Sequence, residues 1–153
     1  SERAFFFFFD QLVKRFGYHE PKLDQVFDLL AEISPGIAEH GTFNFCLSNG
    51  QALFSYAITK LHWLVREYPF RPAQLIDIDV EVDFSQVTTR EDRVAVITTE
   101  PLTQNEEWTA FQPGEMILFQ HGAKVRSQVT HVERLERERL DPSLKRITRA
   151  DQY

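Results

Sequence analysis

Between Ile37 and Phe43 the spacing of apolar residues changes from helical to alternating, and that switch restricts the fold more than any other feature of the chain. Before it, Phe5, Phe8, Phe9, Leu12 and Phe16 recur at helical spacing on one broad face, with Arg3, Asp10 and Lys14 opposite and Gly17 as a stop. Phe7 falls among the polar side chains at about 100° per residue, which leaves an apolar group on the outer face. A second stripe, Leu23, Val26, Phe27, Leu30, Ile33 and Ile37, begins just after Pro21, a favourable first-turn residue. Ser34-Pro35-Gly36 is expected to end or kink this helix before Gly41.

After the switch, Phe43, Phe45 and Leu47 alternate with Asn44, Cys46 and Ser48, and Asn49-Gly50 follows as a strong hairpin signal. A two-residue turn there pairs Leu47 with Ala52, Phe45 with Phe54 and Phe43 with Tyr56 on one face, and sets Cys46 opposite Leu53. Further strands are expected at residues 61–66, 76–84, 94–99 and 116–119, with Gly122 turning the last into another at 123–127. Two helices followed by strands predict an α+β fold, a helical layer on an antiparallel sheet. Residues 131–139 are dominated by charge, with i,i+4 pairs Glu133–Arg137 and Arg134–Glu138, and Pro142 interrupts them. From Val129 onward six basic residues face five acidic ones, so residues 129–153 read as a solvated helical tail on a body of residues 1–128.

The 153-residue length suits one domain, and a net charge of −6 argues against a nucleic-acid binder. One cysteine excludes a disulfide framework or a multi-cysteine metal site and fits a reducing, cytoplasmic compartment. The longest apolar run, residues 4–9, is far short of the roughly 20 residues of a membrane span and lacks signal-peptide flanks. Opening on Ser1 within a helical pattern, the chain reads as though a preceding part had been removed.

Motif chemistry is sparse. Asp77, Asp79, Glu81 and Asp83 alternate along one strand, but same-face neighbours lie roughly 6.6 Å apart, too spread for one compact cation, and Val82 occupies the position where a calcium loop needs glycine. These carboxylates are expected to be a solvated strand face that discourages aggregation. Cys46, mid-strand without a basic neighbour, reads as a small buried hydrophobe. The histidines form no HxxxH or HxH pair, and Trp63 and Trp108 read as core or interface aromatics. No phosphate loop, dinucleotide fingerprint or GxSxG is present, so no catalytic set, metal site or cofactor is expected from motifs.

Residues 94–108 (VAVITTEPLTQNEEW), with FNFCLSNG at 43–50 and PGEMILF at 113–119, resemble the C-terminal half of class-II glutamine amidotransferases, most of all the small stand-alone bacterial type. The resemblance covers about residues 1–125. It implies part of an N-terminal-nucleophile hydrolase fold, two antiparallel sheets between helical layers. It further implies a cysteine nucleophile whose own α-amine is the base, a glutamyl thioester formed from glutamine, and released ammonia. In the family an Asn-Gly pair supplies the oxyanion hole, and an Arg and an Asp hold the amino-acid end of the substrate. The resemblance places all of these ahead of the matched region, with Ser1 and Glu2 directly after the substrate-binding Asp. Cys46 lacks a free α-amine and Asn49-Gly50 makes a turn, so neither takes a catalytic role. The expectation is a C-terminal fragment, inactive alone, whose partners are glutamine, the missing half of the domain and, through self-association, further copies. The alternative is a non-catalytic interaction module with Phe7 and the tail as its partner surface.

Overall fold

The structure, a computed structural model, describes residues 2–77, 81–84 and 88–142. Both expected helices form. Helix α1 (Glu2–Phe16) closes at Gly17, whose φ of +64° suits a residue without Cβ and whose amide donates to the Val13 carbonyl at 2.8 Å. Helix α2 (Leu23–Ala38) opens with the Lys22 amide donating to Gln25 Oε1 at 3.0 Å. It does not end at Ser34-Pro35-Gly36, because Pro35 is accommodated inside the helix. A proline there forfeits one backbone hydrogen bond. The stripe that buries Phe27, Leu30, Ala31 and Ala38 offsets that loss, and Ser34 Oγ donates to the Leu30 carbonyl at 2.6 Å.

Strands β1 (Phe45–Ser48) and β2 (Ala52–Ala57) form the hairpin, followed by β3 (His62–Glu67), β4 (Ala73–Gln74), β5 (Glu81–Val82), β6 (Arg93–Thr98), β7 (Thr109–Ala110), β8 (Glu115–Gln120) and β9 (Ala123–Val129). They build an antiparallel sheet β1-β2-β8-β9, a second sheet β6-β3-β7, and the small pair β4-β5. The hairpin register differs from the expected one by two residues: Phe45 pairs with Tyr56, Leu47 with Phe54 and Cys46 with Ser55. Side chains widen the turn. Asn49 Oδ1 accepts from the Gln51 and Ala52 amides, each at 3.0 Å, while Ser48 Oγ accepts from the Gly50 amide and donates to the Ala52 carbonyl. A shift of two keeps every side chain on its face, so the apolar pattern stays satisfied while the partners change.

The expected acidic strand is seen only at its ends. Glu81 and Val82 pair with β4, whereas the Ile76 amide turns away to the Leu102 carbonyl at 3.0 Å. Asp79 lies outside the described residues.

One face of the four-stranded sheet packs Phe54, Tyr56, Met116 and Leu118 under Phe8, Phe27 and Leu30 of the helices. The other face packs Ile117 and Phe119 against Leu61, Phe111, Trp63 and Ile97, joining the two sheets. The described residues therefore stack a helical layer, a sheet and a second sheet, the expected α+β arrangement. Among them, no helix is long and apolar enough to cross a membrane.

Two packing expectations are reversed. The first helix buries Phe8, but Phe5 and Phe9 are 52% and 58% exposed, so most of its apolar arc is uncovered. The charged tail, for its part, is docked at its start. Val132 is buried and helix α3 (Glu133–Leu140) is clamped to the end of α2, with Glu39 accepting from the Arg134 amide at 2.9 Å and from Arg137 at 2.7 Å. Of the two expected pairs Arg134–Glu138 forms at 3.2 Å, while Arg137 turns to Glu39.

Candidate functional site

Helix α1 meets the body through Phe8, whose ring centroid lies 4.8 Å from that of Phe45, and through Arg15, which pairs with Glu32 of α2 at 2.9 Å. Phe5, Phe8, Phe9, Leu12 and Phe16 line a groove of about 600 Å³ between α1 and the hairpin. Leu47 and Phe54 contribute to its apolar wall, and Ser48, Asn49, Gln51 and Glu20 add polar groups. Glu2 opens α1 and is exposed; Ser1 lies outside the described residues. The structure thus sets Glu2 in the positive first turn of a helix.

A second, polar constellation is built from the segment that carries the family resemblance. Arg66 on β3 grips Glu106 with two hydrogen bonds of 2.7 Å. Thr103 Oγ1 donates to the same carboxylate at 2.6 Å and accepts from Trp108 Nε1 at 2.9 Å. The Arg66 hydrogen bonds, with help from Thr103, hold the Glu106 carboxyl below its ordinary pKa against the opposing effect of burial. Asn105 completes the clasp, accepting from the Gln74 amide at 2.9 Å and donating to the Pro72 carbonyl at 2.8 Å. Thr103, Asn105, Glu106 and Trp108 therefore fasten a loop layer over the outer face of the second sheet. Their spacing is that of a structural clasp, and sequence reading missed it because Arg66 stands forty residues from Glu106. Trp108 is held by this clasp. Trp63 packs edge-on against Phe119, with Lys124 5.0 Å above its ring.

Cys46 is exposed, not buried as expected, because β1 lies at the sheet edge and the second sheet does not reach over it. Its Sγ sits 3.3 Å from Ser55 Oγ, its new cross-strand partner. Asn49 and Gly50 form the hairpin turn, as expected. Among the described residues no three His, Cys, Asp or Glu side chains gather as a metal site.

Relatives give this geometry its context. A family model described as "Glutamine amidotransferases class-II" matches residues 1–143, a span that includes α3. The Escherichia coli protein named "Putative glutamine amidotransferase YafJ" is 42% identical over 125 residues, 82% of this chain and 49% of its own length. A Haemophilus influenzae protein named "Putative glutamine amidotransferase" is 39% identical over 82% of this chain and 42% of its own. The crystal structure of a "predicted glutamine amidotransferase" from Pseudomonas aeruginosa superposes with a TM-score of 0.72 at 37% identity, across 82% of this chain and 49% of that one. The chain spans about half the length of these relatives. Order of elements, clasp motif and family match agree: the chain belongs to the class-II glutamine amidotransferase family.

Proposed function

We propose that these residues form the C-terminal part of a domain that hydrolyses the side-chain amide of glutamine and releases ammonia, and that by themselves they do not catalyse it. The position of Cys46 carries this reading. The chemistry implied by the family resemblance needs a cysteine whose own α-amine is free to take the thiol proton. The one thiol of this sequence sits mid-strand, its amide committed to the chain on both sides. In the whole enzyme the nucleophile, the oxyanion Asn-Gly pair and the substrate Arg and Asp come from the remaining half, while Ser1 and Glu2 border the pocket for the amino-acid end of glutamine. Glutamine is the substrate, no cofactor takes part, and the free Cys46 thiol fits a cytoplasmic setting.

Ammonia release from glutamine tests the reading. The 153-residue chain is expected to stay at buffer background, and joining it to the remaining half of the domain is expected to produce turnover. Turnover by the chain alone that disappears in Cys46→Ala would overturn the assignment.

A further inference from the structure

We draw no further inference here: the strongest candidate, the polar cleft beside β3 lined by Arg66, Arg71, Glu106 and Glu107, has its Arg66 and Glu106 bound to each other in the clasp already described, and nothing in the structure shows what covers it.

Discussion

Glu106 is the residue on which the family's own segment turns. Its carboxylate takes two hydrogen bonds from Arg66 and one from Thr103, with side-chain exposures of 18% and 16% for Arg66 and Glu106. Removing the charge in Glu106→Gln should destabilise the fold by about 1–2 kcal/mol, the value of charge-assisted hydrogen bonds reduced for partial solvent contact. Because the folded pKa is depressed below the ordinary 4.5, this stability is fully present above that value and is lost as pH falls through the lower, folded one. The gap in melting temperature between wild type and Glu106→Gln should therefore be full at pH 6 and close as the pH falls below 4.5. A constant gap down to pH 3 would mean that the ion pair is not the source. None of this was legible in the sequence, since no local rule links positions 66 and 106. The hairpin was legible in face but not in partner: Asn49-Gly50 marks a turn, whereas the side-chain bonds of Ser48 and Asn49 that set its length follow no two-residue rule. Exposure of Cys46 was hidden for a related reason, because alternation shows which face a residue takes and not whether another sheet covers that face.

Elements were read well as elements and less well in their packing. Periodicity located both long helices and most strands, and the strand-rich second half led to the α+β class. It erred where tertiary contact decides. Pro35 lies within α2 because the helix is buried along a full stripe, and α3 docks although its own sequence is almost all charged. The apolar anchors of α3 are Val132, buried just before it, and Leu135 within it, a pair too sparse for a window average to mark. Val132→Ala removes two buried carbon groups from the core cluster that also holds Phe27 and Leu30, and should cost about 2 kcal/mol. Arg137→Ala, at a salt bridge whose arginine is 62% exposed, should cost less than about 1 kcal/mol. Denaturant midpoints of the two variants separate docking by apolar burial from docking by charge, and a larger loss in Arg137→Ala would reverse the assignment.

For the molecule as a whole, the order of elements and the clasp segment were enough to name the family. The sheet face that carries Phe45, Phe54 and Tyr56 lies under Phe8 and α2, with Phe54 and Tyr56 buried. The bare surface is helical instead. Phe5, Phe6, Phe7 and Phe9 are 52%, 59%, 41% and 58% exposed within about one turn of one helix, and Phe5 and Phe9 also border an apolar groove of about 600 Å³. Contiguous apolar patches beyond a few hundred Å² are rare on monomers and usually mark an interface. In water such a surface lowers its free energy by meeting another, and at micromolar concentration the surface available is that of a further copy. The 153-residue chain alone should therefore bind a hydrophobic dye and sediment as a concentration-dependent mixture. Phe6→Glu with Phe9→Glu should shift that mixture toward monomer without lowering the melting temperature, because neither side chain is part of the core. Addition of the remaining half should suppress the dye signal by covering the groove side. A dye-silent monomer across the whole concentration range would mean that the aromatic surface is stable in water, and the interaction-module reading would then replace that of an incomplete enzyme.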